Sequence, residues 1–491
     1  MKVLKNKSIA TAMSVLALSG AVVAGGVMAP ASPVLADAVR VQAPQAPSFA
    51  DVVEAVSPAV VSVRVTSDIR PTSGSGFSFQ FDGLPEGHPL ERFFNREGRP
   101  RRGPQDRRGQ RRFGTSQGSG FFVSDDGYVV TNHHVIENGS KYSVVLNDGT
   151  EIDAKLVGSD PKTDLAVLKV DRSEKFTYVK FSDVNSRVGE WVVAVGNPFG
   201  LGGTVTAGII SASGRDIGSG PYDDYIQIDA AVNKGNSGGP AFNLNGEVIG
   251  VNTAIFSPSG GNVGIAFAIS AKSASEVVEQ LIDRGSVTRG WLGVQIQPVT
   301  KDIAASLGIA EASGAIVSEA QGDSPASKAG IRSGDVITKV DGETIDDPRA
   351  LARKIAGYEP SAEVKVTVLR DGKPREISVV LGELPGAEKV AGLAGPTPTP
   401  GAPVELDQLG LSVVPTDDGV AIASVAGGSD AEAKGIRSGD VIVSVNGLPT
   451  SSVNEVGEAI ASAMEQDRNA VLFQIKSRER NRFVALPLER G

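Results

Sequence analysis

The sequence predicts a mainly β protein: one larger unit of short antiparallel strands, followed by two copies of a smaller module. Three observations carry this. From Gln117 to Ile269, short apolar runs alternate with turn signals and almost no helical windows, the pattern of antiparallel barrels or a sandwich. Glycine is abundant, at 59 of 491 residues, which favours turn-rich β structure over helical bundles. The octapeptide Gly330 to Ile337 recurs unchanged as Gly435 to Ile442, an offset of 105 residues. One module of about 90 residues therefore occurs twice.

Along the chain, each element has its own signal. Lys2, Lys5 and Lys7 precede an apolar stretch from Ile9 to Met28 and then small residues, which reads as an export leader over 1–36, cut after Ala36, with Ala38 or Ala31 as alternatives. An uncleaved anchor is the other reading, because the stretch is long enough to span a membrane. Removing three lysines and no acids with the leader takes the net charge from −9 to −12, which argues against nucleic acid as a main partner. Ala50 to Val56 reads as a helix, Ser57-Pro58 as a break and Ala59 to Val65 as a strand. Residues 70 to 117 lose periodicity and form an insertion, with nine arginines against three acids between Glu91 and Arg112. It reads as a solvated charge run, or else as a docking segment for anionic surfaces or another subunit. Strand runs follow at Ser119–Val123, Tyr128–Thr131, Tyr142–Leu146, Leu165–Val170, Trp191–Val195, Tyr225–Ile228 and Val248–Val251. A helix over about Ala271 to Asp283 closes the unit. Between the repeats, Pro385 to Pro403 reads as a semi-extended linker.

Composition narrows the chemistry. The chain has no cysteine and only three histidines, His88, His133 and His134, so thiol catalysis, disulfides and thiolate zinc are excluded. There is no phosphate-binding Gly-x-x-x-x-Gly-Lys-Ser/Thr loop. No cofactor or metal is expected. The sharpest feature is Gly235-Asn236-Ser237-Gly238-Gly239-Pro240. A nucleophilic serine needs an exposed oxygen, small neighbours and backbone N–H groups facing the developing oxyanion, and flanking glycines supply all three. A plain tight turn is the alternative. The serine also fits the nucleophile elbow of α/β-hydrolases, but that fold needs a histidine after the serine, and none follows His134. An acid–histidine–serine order would have only the turn residues Asp125 and Asp126 nearby. The remaining order, histidine, aspartate, serine, is the trypsin-like one and suits a β-barrel unit. His133 and His134 end a strand in this reading, so at most one faces the serine. For the orienting acid, Asp164 stands before the strand Leu165–Val170 and Asp160 before Pro161 in a turn. The strand end favours Asp164.

Thr131-Asn132-x-His134-Val135-Ile136, Asp160-Pro161-Lys162-Thr163-Asp164-Leu165-Ala166-Val167 and the Ser237 segment together resemble the HtrA (Do-like, DegP-like) family of exported trypsin-like serine proteases with C-terminal PDZ modules. The resemblance covers nearly everything from residue 50 to 491. It implies a double β-barrel protease domain over 37–283, a first PDZ domain over 284–384 and a second over 404–491. It puts the base at His134, the acid at Asp164 and the nucleophile at Ser237, with an oxyanion hole from Gly235, Asn236 and Ser237 in which the amides of Gly235 and Ser237 are the donors. It also implies that Asn252, Thr253, Ala254 and Ile255 belong to a loop beside the specificity pocket, selecting small or β-branched apolar residues.

In each repeat an apolar-Gly-apolar segment, Trp291-Leu292-Gly293-Val294 or Leu409-Gly410-Leu411, resembles the PDZ loop that binds a peptide's terminal carboxylate. Arg289 would add attraction to that carboxylate. The function implied is an ATP-independent periplasmic endopeptidase for unfolded or damaged envelope proteins. Its partners would be hydrophobic C-termini, further copies in trimers or multiples of trimers, and possible peripheral membrane contact. The runner-up is a chaperone or PDZ scaffold without essential proteolysis, and the complete set of catalytic residues favours the protease.

Overall fold

The computed structural model describes residues 48–69, 112–200, 202–258, 261–309, 311–370, 372–385, 403–416, 419–466, 468–477 and 480–488. The expected leader, most of the Arg-rich insertion and most of the Pro-rich linker lie outside the described residues. Helix α1 (Ala50–Val56) passes through a 3-10 turn at Ser57–Ala59 into β1 (Val60–Ile69). With β2 (Arg112–Phe122), β3 (Tyr128–Thr131), β4 (Lys141–Val145), β5 (Glu151–Asp160) and β6 (Leu165–Val170), β1 closes a first barrel in the order β1-β2-β3-β6-β5-β4. The period of two decides its packing: Val61, Val63 and Val65 of β1 meet Phe122, Val129 and Leu168 inside, while Val60 faces the neighbouring core.

A short helix, α2 (His133–Ile136), separates β3 from β4. The second barrel comprises β7 (Trp191–Gly196), β8 (Thr204–Arg215), β9 (Tyr225–Ile228), β10 (Pro240–Phe242), β11 (Val248–Ile255) and β12 (Ala266–Ser270). It closes in the order β10-β11-β12-β9-β8-β7. One core joins the two barrels, with Val60, Phe121 and Leu165 from the first packing into the cluster that holds Phe242, Val251 and Ile255 of the second. The closing helix, α3 (Ala271–Arg284), is capped by the Ser270 hydroxyl, buries Ala274, Val277, Val278 and Leu281, and stops at Gly285.

The first repeat contains β13 (Gly290–Trp291), β14 (Val294–Pro298), α4 (Lys301–Leu307), β15 (Ala315–Ala320), α5 (Pro325–Ala329), β16 (Val336–Val340), β17 (Glu343–Thr344), α6 (Pro348–Ala356), β18 (Glu363–Arg370), β19 (Lys373–Val380) and β20 (Gly382–Glu383). Its sheet runs β14-β15-β16-β18-β19, and β13 pairs with β20. The second contains β21 (Val404–Leu406), β22 (Leu411–Thr416), β23 (Gly419–Val425), α7 (Asp430–Ala433), β24 (Val441–Val445), β25 (Leu448–Pro449), α8 (Val453–Glu465), β26 (Ala470–Ser477) and β27 (Arg480–Pro487), with the sheet order β21-β22-β23-β24-β26-β27. The repeats pack on each other: Ile303, Ala304 and Ile316 of the first share a core with Leu472, Phe483 and Ala485 of the second.

Two boundaries differ from expectation. Order resumes at Arg112 and not at Gln117, because β2 pairs with β1 as far as Ile69↔Arg112. Main-chain bonding holds this stretch, and its sequence has no apolar alternation to show. The repeated octapeptide reads from the sequence as a strand throughout, yet only Val336 onward and Val441 onward are strand; the preceding residues turn out of α5 and α7.

Candidate active site

Ser237 lies on the loop between β9 and β10, at the seam of the two barrels. Gly235 has φ +97°, and Gly238, at φ +82°, lies so close to β2 that a Cβ there would stand 2.3 Å from the Ser119 carbonyl oxygen. Only glycine fits either position. Ser119 fastens the loop from the other barrel. Its hydroxyl donates to the Gly235 carbonyl at 2.6 Å and accepts from the Asn197 amide at 2.9 Å, and its own amide donates to the Ser237 carbonyl at 2.9 Å. The Ser237 Oγ donates to the Thr253 carbonyl at 3.3 Å.

The Asn236 amide donates to Asn233 O, the Gly238 amide to Asn252 O and the Gly239 amide to Asn236 O. The amides of Gly235 and Ser237 have no hydrogen-bond acceptor among the described residues. Of the three expected oxyanion-hole residues, Asn236 thus has its N–H committed elsewhere, because it closes the turn that presents the serine.

His134 and Asp164 meet by two hydrogen bonds. The His134 amide donates to Asp164 Oδ1 at 2.9 Å, and its Nδ1 lies 2.7 Å from Asp164 Oδ2. One carboxylate therefore holds both the backbone and the ring, which fixes the ring's orientation and places its proton on Nδ1. The strand-end argument for these residues needs correction. His133 and His134 open helix α2 and are not extended, so strand alternation does not separate them. Asp160 is the last residue of β5, and Asp164 closes the turn after it with φ +57°. A left-handed aspartate costs on the order of 1 kcal/mol. The turn repays it by aiming the carboxylate at His134.

Asn132 locks the same region: its Nδ2 donates to Asp164 O at 2.9 Å and to Thr253 Oγ1 at 3.0 Å. Ser119 reads in the sequence as an ordinary strand residue, and Asn132 belongs to the motif around His134 without any sign of its bridging role.

Asn252, Thr253, Ala254 and Ile255 were expected in a loop. They form the end of β11 and are all buried. The strand reaches the serine through its backbone: Asn252 O accepts from Gly238 N, and the Asn252 amide donates to Gly239 O at 2.9 Å.

Arg289 is also reassigned. It is buried, donates to Asp160 Oδ1 at 3.1 Å and Oδ2 at 2.5 Å, and stacks 4.7 Å from the Tyr222 ring centre. A guanidinium so engaged is not available to a peptide carboxylate. Burial works to raise the Asp160 pKa, but the hydrogen bonds and charge of Arg289, with help from Thr163, outweigh it and hold the carboxyl below its usual range. Arg353 Nη1 of α6 donates to Asp223 O at 2.8 Å, and Arg349 pairs with Asp216. Burial raises the pKa of Asp223.

In the first repeat Trp291 lies in β13, Leu292 is buried, Gly293 has φ +76° and Val294 opens β14. In the second, Leu409 is buried, Gly410 has φ +63° and Leu411 opens β22.

Comparison with known proteins bears on the whole chain. A trypsin-like peptidase domain matches residues 118–251, and a PDZ domain matches residues 290–381 and again 408–484. The probable periplasmic serine endoprotease DegP-like of Brucella suis biovar 1 (strain 1330) is 55% identical over 502 aligned residues, 98% of each chain. Its counterpart in Rhizobium meliloti (strain 1021) is 56% identical over 500, covering 97% of this chain and 99% of that protein.

The chain belongs to the HtrA family of DegP-like serine endoproteases. A solved structure of the HtrA-type protease AlgW with decapeptide matches with a TM-score of 0.56 and 39% identity, covering 69% of this chain and 100% of that one. This HtrA chain is thus a trypsin-like serine endopeptidase of the periplasm with two PDZ domains. Among the described residues no helix is long and apolar enough to cross a membrane.

Proposed function

We propose that this endopeptidase cleaves unfolded or damaged envelope proteins without ATP, using Ser237 as nucleophile, His134 as base and Asp164 as the orienting acid. The observation that carries the assignment is the double hydrogen bond from His134 to Asp164, at the seam where the glycine-flanked serine is presented. Ser237 Oγ attacks the peptide carbonyl carbon, and its proton passes to His134 Nε2. Asp164, bonded to Nδ1–H, stabilises the imidazolium. The carbonyl oxygen gains the negative charge, and the amides of Gly235 and Ser237 stand ready to receive it. When the carbon–nitrogen bond breaks, His134 returns the proton to the leaving amine. A water activated by the same imidazole then releases the acyl group from Ser237.

The end of β11, Asn252–Ile255, carries no acidic residue of its own, which supports cleavage after small or β-branched apolar residues and not after Lys or Arg. The first PDZ domain captures hydrophobic C-termini at the Trp291–Val294 loop. Assembly as trimers through the protease domains belongs to the same reading. Unfolded casein tests it: the wild type degrades casein without added nucleotide, whereas Ser237→Ala or His134→Ala lowers turnover by on the order of 10⁴ or more. Undiminished cleavage by Ser237→Ala would remove the assignment.

A further inference from the structure

We propose that the second PDZ domain carries its own ligand: Val404–Leu406 fills the strand edge and apolar groove through which such a domain takes a peptide. The first domain is left as the chain's receptor for free C-termini. The inference rests on the peptide-capture reading of the first domain and adds that the two repeats are not equivalent receptors.

The two loops match closely. In each, a glycine with positive φ follows a buried leucine, Leu292-Gly293 and Leu409-Gly410. In each, a Cβ on that glycine would collide with a helix-capping serine, 2.3 Å from Ser324 Cβ and 2.7 Å from Ser429 Cβ. The glycine carbonyls accept equivalent bonds, from Gln321 N at 2.9 Å and from Ala426 N at 2.8 Å. The strand after each loop pairs with the next strand through the same irregularity after its second residue, between Gln295 and Ile296 in one and between Ser412 and Val413 in the other.

The opposite edges of those strands differ. β14 ends its sheet, with β15 as its only strand partner among the described residues. An end strand offers unpaired N–H and C=O groups, which a peptide can use to join the sheet. β22 has that edge covered: Val404 pairs with Val413, Glu405 with Ser412 and Leu406 with Leu411, antiparallel. This is the direction of a peptide whose last residue reaches the glycine loop. Leu406, opposite the first residue of β22, stands where the terminal apolar residue of such a peptide would stand. It packs on the core that contains Leu409, Leu411, Val456 and Ile460, as does Val453 at the start of α8. From Asp407 the chain runs on through a 3-10 turn and Leu409 into the Gly410 loop, so it continues as main chain where a bound peptide would end.

The first domain cannot close itself in this way. Its upstream residues are fixed elsewhere, with Gly290 and Trp291 paired to Glu383 and Gly382 in β20 and Arg289 held by Asp160. Leu406 is joined to the Gly410 loop by only Asp407, Gln408 and Leu409. A segment tethered to its groove acts at a high effective concentration, so a free peptide of ordinary affinity does not displace it.

The experiment uses full-length protein with Ser237→Ala to prevent cleavage. An apolar decapeptide with a free C-terminus is titrated by calorimetry. The parent is expected to bind one peptide per chain, and Gly293→Val to abolish binding. Leu406→Asp removes the apolar anchor, and Glu405→Pro independently disrupts the strand. Either change is expected to add a second site that survives Gly293→Val and is lost with Gly410→Val. Two sites in the parent overturn the proposal, as does a parental site that Gly410→Val removes and Gly293→Val spares. Folded Leu406→Asp and Glu405→Pro proteins that gain no site also overturn it. If the parent binds nothing but the freed variants gain one site, the closure stands and the capture reading of the first domain fails.

Discussion

Asp160 and Asp164 stand at the two ends of one turn and are both buried, 5% and 2% exposed, yet they grip different basic side chains. Asp164 holds the ring and amide of His134, 30 residues earlier in the chain, in α2. Asp160 holds Arg289, 129 residues further along, in the segment that leads into the first PDZ domain. The difference teaches that a buried carboxylate's role is set by the base brought to it. A guanidinium keeps its proton throughout the accessible pH range, so the Asp160 pair is a fastening. An imidazole gains and loses a proton near neutrality, so the Asp164 pair suits proton transfer.

The sharpest way to break this comparison is to neutralise each acid in turn. Asp164→Asn is expected to leave the fold intact and to lower kcat by about 10⁴, because an amide favours the wrong imidazole tautomer. Asp160→Asn is expected to keep His134 in place and to retain most of the chemistry at temperatures where the fold persists. Steady-state cleavage of a reporter peptide separates the two. If Asp160→Asn shows the larger loss in kcat with an unchanged fold, the assignment of the two acids is reversed.

The second effect is on stability. Removing one partner of a buried ion pair strands the other charge, which costs about 3–5 kcal/mol. Asp160→Asn leaves Arg289 in that position, and Arg289→Met leaves Asp160. Both are expected to lower the thermal midpoint of the protease domain and to raise hydrogen exchange around Gly290–Trp291 and Tyr222. Asp164→Asn is expected to change neither by a comparable amount. Losses in Asp160→Asn and Arg289→Met that simply add in the double variant would show that the two residues do not act as a pair.

Much of this was legible before the structure, for reasons that differ by residue. The barrels show in Val60–Val65 through partial alternation, and in Leu165–Val170 as a nearly continuous apolar run, because that strand is buried on both faces between the two cores. His134, Asp164 and Ser237 stand out because each sits in a short segment of unusual residue types, and their order alone rejects two other hydrolase plans. Arg289 was misread as a carboxylate anchor because its partner is fixed by the docking of one domain on another, which no local pattern encodes. Arg112 to Gln117 were read as loop because their pairing with β1 rests on main-chain bonds. The choice of Asp164 rested on a strand end, whereas the structure gives it the left-handed turn and gives Asp160 the strand end.

pH offers a finer separation of the two acids. The Asp160 pKa is lowered in the folded chain, so its contribution to stability is fully present above the ordinary aspartate value of about 3.9 and is lost as pH falls through the depressed folded value. Asp223, raised by burial, works in the opposite sense: its contribution is present when protonated and is lost as pH rises through its folded value. The stability difference between wild type and Asp160→Asn is therefore the quantity to follow. It is expected to be constant from about pH 5 to 7 and to shrink below pH 4. A difference that grows on acidification would contradict the ion-pair account.

The smallest expected effect concerns the neighbouring histidines, and it tests whether the comparison extends from the acids to the bases. His133 and His134 are adjacent in α2, and both depend on Asp164 through their backbones, since His133 N donates to Asp164 O at 3.1 Å. Their rings differ. That of His134 is held by the carboxylate, whereas Nδ1 of His133 is buried without a hydrogen-bond partner among the described residues. Removing the His133 ring therefore breaks no side-chain bond at Nδ1 and relieves an unsatisfied polar atom, while the backbone bond to Asp164 survives in any residue. Alanine also suits the first position of a short helix better than histidine does. His133→Ala is expected to change stability by less than about 1 kcal/mol and kcat/KM by less than about tenfold, against a loss of about 10⁴ for His134→Ala. Thermal unfolding and reporter cleavage of the two variants, run side by side, supply both numbers. Equal loss of activity from the two substitutions would mean that the proton is not taken by His134 alone.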